Sequence, residues 1–359
     1  MKKFFVFGLL LILALAILTG CASNPAPQPA SSAASSSSMA SSVASSAASS
    51  AAVIATMPCK NSTTDPVSNF DPKVTAKKRY KIAVIFKNFL PVWMTHQRSA
   101  EQAGKDMGVD ITVLTPTKAD NVEEQIRILE DIINKGVDGV VLAPTNTQAI
   151  AVGIKKLNAA GIPVVYDNTM GSGGDYVAYV GVDNVKVGEV LGEEMAKRMN
   201  GTGKLLVLEG VPGQQTSDDR IKGIKNTMAK YPNINYAVQT AHWQMAEGQT
   251  VAQDYLQRWP DMRGVVGVGG NMSEGAAEAL TSANKIKDVV IGSFDVQEPT
   301  VKAMQSGKVA FTISQDVKSQ AYYSVAAMVK CLNGEAVPQQ IRTNVKIVTP
   351  DIAEQYKEY

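Results

Sequence analysis

The sequence predicts an α/β protein made of two doubly wound, Rossmann-like lobes joined by a hinge of several strands. Three observations carry that expectation. From about residue 80 onward, mostly apolar runs of strand length alternate with segments of helical periodicity. The runs lack strict polar alternation, so they are buried on both faces, as strands of parallel sheets are. Several of them stop on a single polar residue: Val164-Val165-Tyr166 before Asp167, Val289 to Phe294 before Asp295, and Val309 to Ser314 before Gln315. Polar side chains at the carboxyl ends of parallel strands face the crevice where open α/β sheets take ligands.

The chain opens with Lys2-Lys3, an apolar stretch from Phe4 to Leu18 and then Thr19-Gly20, the tripartite pattern of a secretory signal over residues 1–20. That stretch is short for a membrane span. Leu18-Thr19-Gly20-Cys21 resembles a bacterial lipobox, which implies cleavage and a lipid on the Cys21 sulfur. An uncleaved anchor with an unmodified thiol is the alternative. From Ala22 to about Ala55 the chain is almost entirely Ser, Ala and Pro, with no spaced large apolar residues to start a core. It is expected to be a tether, assigned to residues 21–78. About 35 flexible residues reach roughly 30 Å on average, enough to clear lipid headgroups.

Tyr80 to Phe86 forms the first buried strand, followed by helical spacing at Trp93, Ala100, Ala103 and Met107. Val122, Ile126, Leu129 and Ile133 mark a second helix, Gly139 to Ala143 a strand, and Ile150, Ile154 and Leu157 a third helix. Ala160-Gly161-Ile162-Pro163 stops that helix and leads into a strand. Asp175 to Asp183 reads as a strand with no helix before it, because Gly171-Ser172-Gly173-Gly174 argues against one; it is the expected crossover between lobes. Leu205 to Leu208, Tyr236 to Gln239, Val265 to Val268 and Val289 to Ile291 then repeat the pattern. Val309 to Gln315, a helix over Ala321 to Leu332 and a strand over Val345 to Val348 are expected to recross. The first lobe is assigned residues 79–182 and 316–341, the second 183–315 and 342–359.

The 35 basic and 33 acidic residues nearly cancel, with no long basic run, which argues against a nucleic-acid partner. Cys59 and Cys331 form an even pair once Cys21 is set aside; a bridge between them and two unpaired thiols are both open readings.

Lys81-Ile82-Ala83-Val84, Ala160 to Val165 with Asp167, Gly181-Val182-Asp183-Asn184, Arg220 just before Lys222-Gly223, Gly292-Ser293-Phe294-Asp295 and Thr312-Ile313-Ser314-Gln315 occur in an order and spacing that resemble one family. It is the ribose and galactose type of bacterial solute-binding proteins, the type I receptors of ABC sugar transporters, and the likeness runs from about Lys81 to Val348. The resemblance implies a monosaccharide or polyol held between the lobes. Asp167 accepts bonds from its hydroxyls, Arg220 donates a fork of bonds, Asp295 and Gln315 close the far side, and Trp93 and Trp243 sandwich the ring. Asn184 and Asn168 belong to the same implied set. Val92 stands where ribose binders carry phenylalanine, Ala143 and Gly269 where they carry asparagine, and Asn168 where arginine is common. The lost volume points to a larger or differently hydroxylated ligand, such as a hexose, a polyol or a cyclitol. The calcium loop of galactose binders has no counterpart.

Each residue also has a plainer reading. Asp167 and Asp295 can cap the following helix, Arg220 can pair in solvent with Asp218 or Asp219, Trp93 can be core, and Asn184 can be a helix cap. Gly201-Thr202-Gly203-Lys204 is a turn, because Leu205 cannot bind magnesium, and Gly267-Val268-Gly269-Gly270 lacks the third glycine of a dinucleotide fingerprint. With only His96 and His242, no histidine metal trio and no Ser-His-Asp set is recognisable. The expectation is therefore a non-enzymatic, monomeric, lipid-anchored receptor without cofactor or metal that serves an ABC permease. A sensory receptor for a sugar-like or autoinducer-like signal is the alternative.

Overall fold

The computed structural model describes residues 59–359. The signal segment, Cys21 and the Ser/Ala-rich run lie outside the described residues. Among the described residues no helix is long and apolar enough to cross a membrane.

The first lobe is built in chain order from β1 (Pro66–Val67), β2 (Lys81–Ile85), α1 (Pro91–Met107), β3 (Asp110–Leu114), α2 (Val122–Lys135), β4 (Gly139–Leu142), α3 (Ala151–Ala159), β5 (Val164–Asp167) and β6 (Ala178–Gly181). The second follows with α4 (Asn184–Arg198), β7 (Gly203–Glu209), α5 (Gln215–Met228), β8 (Ile234–Thr240), α6 (Met245–Arg258), β9 (Met262–Gly267), α7 (Gly270–Ser282), β10 (Val290–Phe294), α8 (Glu298–Gln305) and β11 (Phe311–Ser314). The chain then returns to the first lobe as α9 (Val317–Leu332) and β12 (Gln340–Arg342), and crosses once more to place β13 (Lys346–Val348) in the second.

One sheet has the order β1-β12-β6-β5-β4-β2-β3, with every pair parallel. The other has the order β13-β11-β10-β9-β7-β8, parallel except for the antiparallel β13. Helices cover both faces of the first sheet, which explains the continuous apolar runs. Along β2, Ile82 and Val84 point into one core with α1 and α9, while Ala83 and Ile85 point into another with α2 and α3. The second lobe closes around one large core that includes Leu205 to Leu208, Val265, Val266 and Phe311. Local signals set the helix ends: Pro91 opens α1, Asn121 accepts the Glu124 amide at the start of α2, and Gly161 takes φ 71° after α3.

Three segments link the lobes and bond to one another. Arg342 Nη1 donates to the Val182 carbonyl at 3.1 Å, Thr343 Oγ1 to the Gln315 carbonyl at 2.8 Å, and Gln320 Nε2 to that same carbonyl at 2.8 Å. The hinge is thus a bundle rather than three independent strings.

Two parts of the first sheet differ from what the sequence predicts. Edge strand β3 is only half-buried, so its apolar signal is diluted by Thr112. Of residues 21–78, assigned to a tether, those from Cys59 onward pack on the first lobe. Pro66–Val67 pairs with β12, Asn61 Nδ2 donates to the Val177 carbonyl at 2.7 Å, and Phe70 meets Tyr323 edge-on at 5.5 Å. Cys59 and Cys331 form a disulfide that spans 272 residues of sequence.

Closing so long a loop restricts the unfolded chain by an amount worth about 2 to 4 kcal/mol. Replacing both cysteines by serine should lower the melting temperature by roughly 5 to 10 °C and remove its sensitivity to reductant. Equal melting curves with and without reductant for the parent protein would show that the bridge carries no stability.

Candidate functional site

The carboxyl ends of β2, β5, β10 and β11 and the first turns of α1, α5, α7 and α8 border a cleft between the lobes, about 600 Å³ including its open mouth. Trp93, Asn168, Arg220, Trp243, Asp295 and Gln315 all line it. Asp167 and Asn184, also singled out from the sequence, do not.

Arg220 lies on α5 and is 3 % exposed. Its Nε donates to Asn184 Oδ1 at 2.8 Å, Nη1 to the Val268 carbonyl at 2.8 Å and Nη2 to Gln315 Oε1 at 3.1 Å. The guanidinium lies 3.7 Å from the centre of the Phe294 ring. Burial lowers its pKa to about 10, against the pull of Asp295. A guanidinium has five donors, so two remain for a guest. Asn184 therefore aims the arginine, and the solvent pairing with Asp218 or Asp219 is absent.

Gln315, just past β11, is the junction of the site. Its Nε2 donates to Asp295 Oδ1 at 2.7 Å, and its Oε1 receives Arg220 and, at 3.2 Å, Asn168 Nδ2. Asp295 follows β10 with φ 63° and Asn168 follows β5 with φ 63°. Asp and Asn tolerate this left-handed backbone better than most residues, and it turns each side chain off the end of its strand. Burial raises the Asp295 pKa, and Arg220 opposes the rise.

Asp167 turns inward instead of toward the cleft. Its Oδ2 lies 2.7 Å from His96 Nδ1 and its Oδ1 accepts Ser324 at 3.3 Å, all inside the first lobe. His96 in turn packs on Trp93, ring centres 4.9 Å apart, and Trp93 leans on Phe86 at 5.3 Å. The carboxylate thus braces the histidine that backs the indole. One side of Trp93 is core and the other lines the cleft.

Trp243 enters from the second lobe on a residue with φ 62°. A bulky side chain in that region stores backbone strain, held by the surroundings. Its Nε1 donates to Gln214 Oε1 at 2.9 Å. A Cβ on Gly210 would lie 2.1 Å from this indole, and one on Gly269 2.7 Å. The volume missing at Gly269, expected to widen the pocket for a bigger ligand, is filled by Trp243. His242 points away and pairs with Glu247.

Lys87 is a cleft residue that the sequence reading passed over. It is 3 % exposed and donates to Thr169 Oγ1 at 2.9 Å and, across the cleft, to Gln214 Oε1 at 3.1 Å. Its Nζ is 5.2 Å from the centre of the Trp93 ring and 5.8 Å from that of Trp243. Burial pushes its pKa down to about 8, so it is still an ammonium at neutral pH. The signal was present: Lys87 ends an apolar strand just as Asp167, Asp295 and Gln315 do. Asn88, Thr216, Asn271, Gln297 and Thr300 complete the polar lining and had no comparable signal.

The lobes stand closed on one another. The Thr147 amide donates to the Gly213 carbonyl at 2.9 Å, and the Gln215 amide to Thr147 Oγ1 at 2.9 Å. Behind the site, Glu358 near the C-terminus accepts from the Val296 and Asp316 amides at 3.0 Å and from Ser314 Oγ at 2.7 Å. Burial and the nearby Asp295 raise its pKa to about 7. Among the described residues no cluster of His, Cys, Asp and Glu fits a metal ion.

A model of the periplasmic binding protein domain matches residues 82–336. The ribose import binding protein RbsB of Bacillus subtilis is 27 % identical over 259 residues, covering 72 % of this chain and 83 % of that protein. A solute-binding protein from Actinobacillus succinogenes, solved with bound D-allose, superposes with a TM-score of 0.73 at 25 % identity, covering 77 % of this chain and all of its own. One from Burkholderia graminis in complex with D-arabinose gives a TM-score of 0.75 at 26 % identity, covering 78 % and 98 %.

Because the folded Glu358 pKa lies above its ordinary value, its contribution to stability is complete below about pH 4.5 and is lost as pH rises through about 7. Glu358→Gln should therefore flatten the fall in melting temperature over that window. Parallel pH–melting curves for parent and variant would rule the carboxyl out as its source.

Proposed function

The chain belongs to the periplasmic binding protein family, and from that premise we propose that it is an extracytoplasmic lipoprotein that binds a monosaccharide or related polyol between its lobes. It is anchored through a lipid on Cys21, acts as a monomer and passes its ligand to an ABC permease. The observation that carries this reading is the convergence, in one cleft, of Arg220 with two uncommitted donors, Asp295, Asn168 and Gln315 together with the indoles of Trp93 and Trp243. Hydroxyl edges of a sugar match the polar groups, and its C–H faces match the rings.

Charged partners suit hydroxyls, because bonds to ionised groups are about twice as strong as neutral ones. A guest lacking the matching hydroxyl leaves a buried group unpaired, at about 1 to 3 kcal/mol. Trp93 and Asn168 belong to the first lobe, Arg220, Trp243 and Asp295 to the second. Ligand contacts made to both lobes at once favour the closed state, which is the form a permease would read. Micromolar affinity corresponds to about 8 kcal/mol, within reach of a few charged bonds and two stacked rings. The relatives named above bind D-allose, D-arabinose or, by name, ribose, which supports the class.

A thermal-shift screen of the purified protein against pentoses, hexoses, polyols, inositols and nucleosides should give a stabilising ligand among the sugars or polyols. Arg220→Ala and Asp295→Ala should each weaken that ligand by at least about tenfold in calorimetry, or about 1.4 kcal/mol, with the fold intact. Unchanged affinity in both would remove them from the site.

A further inference from the structure

Three features of the same cleft are not used by hydroxyl recognition, namely Lys87, Thr216 and the amino end of α5. An ammonium has three protons, and Lys87 commits two of them, to Thr169 and Gln214. Gln214 is the residue preceding α5 and its own side chain does not cap that helix; of the first-turn amides, Gln215 is taken by Thr147 Oγ1. Thr216, in the first turn of α5, lines the cleft, is 2 % exposed, and its Oγ1 has no hydrogen-bond partner.

The positive groups here repel one another. A cation beside a helix amino terminus faces the positive end of the helix dipole. Arg220 brings a second buried cation to the same cleft. Against them the lining offers one carboxylate, Asp295, whose Oδ1 is engaged by Gln315. Asp120 and Asp167 also pull on Lys87 but stand outside the lining, Asp120 bonded to Gln214 Nε2 and Asn88 Nδ2, and Asp167 to His96 and Ser324. A neutral hydroxyl relieves little of this repulsion, whereas an anion relieves it directly and satisfies both the third Lys87 proton and the Thr216 hydroxyl. Lys87 Nζ lies within 6 Å of both indole centres, so a group attached to a ring held between them comes within its reach.

We propose that the guest is an acidic monosaccharide whose carboxylate is received by Lys87 and the first turn of α5 while its ring lies between Trp93 and Trp243. This rests on the sugar-binding reading above and narrows it to sugar acids.

Calorimetry on the full chain with pairs that share ring stereochemistry tests it: glucose and glucuronate, galactose and galacturonate, mannose and mannuronate. At least one acid should bind at least about tenfold more tightly than its neutral partner. Lys87→Met should bring that ratio close to one, and Lys87→Arg, which keeps the charge, should retain it. Thr216→Val should reduce it and serves as the second variant should Lys87→Met fail to fold. A neutral sugar that binds as well as its acid, or a preference that survives Lys87→Met, overturns the inference while leaving the sugar site standing. Tighter binding of glucose 6-phosphate than of any acid overturns the carboxylate. Binding of no sugar, neutral or acidic, removes both readings.

Discussion

The side-chain amide of Gln315 is the constraint on which the site depends. It sits where β11 leaves the second lobe, and it holds Asp295 with its nitrogen and Arg220 and Asn168 with its oxygen. An amide can do this because donor and acceptor are fixed on one planar group; a carboxylate or an ammonium would repel one side or the other. The same residue's carbonyl receives Gln320 of α9 and Thr343 of the last linking segment. Cleft groups and hinge are therefore bonded through one residue, and a displacement of either is felt by the other.

Much of this arrangement was legible in the chain. Uninterrupted apolar runs imply strands covered on both faces, and their alternation with helical segments implies parallel sheets. Residues that end those runs point toward the crevice, which is how Asp295 and Gln315 were found; the same rule applied to Tyr80–Phe86 reaches Lys87. The rule fails at Asp167 because the end of a strand fixes position but not partner. His96, one helix away, lies within 2.7 Å of its carboxylate and draws it inward. Strand β3 and the packed segment from Cys59 were illegible for another reason: short, half-exposed edge strands owe their pairing to the neighbour rather than to their own pattern.

Gly210 and Gly269 show how a change in one residue is read only in company. Taken alone, a glycine where relatives carry asparagine indicates extra room. Beside Trp243 it indicates the opposite, since an added Cβ would lie 2.7 Å from the indole. The strained backbone at Trp243 persists because its Nε1 is tied to Gln214 and its ring is clasped by two glycines. Ring placement and cleft volume are thus determined together, at a distance in sequence that no local window spans.

The bond between Cys59 and Cys331 decides how load passes through the molecule. Cys331 lies in the last turn of α9, which packs on α1 and on β4, β5 and β6. Traction on the chain upstream of Cys59 is accordingly delivered to the body of the first lobe and bypasses the three linking strands. The second lobe hangs from the first like a jaw from a skull: a pull that enters there need not prise the mouth open.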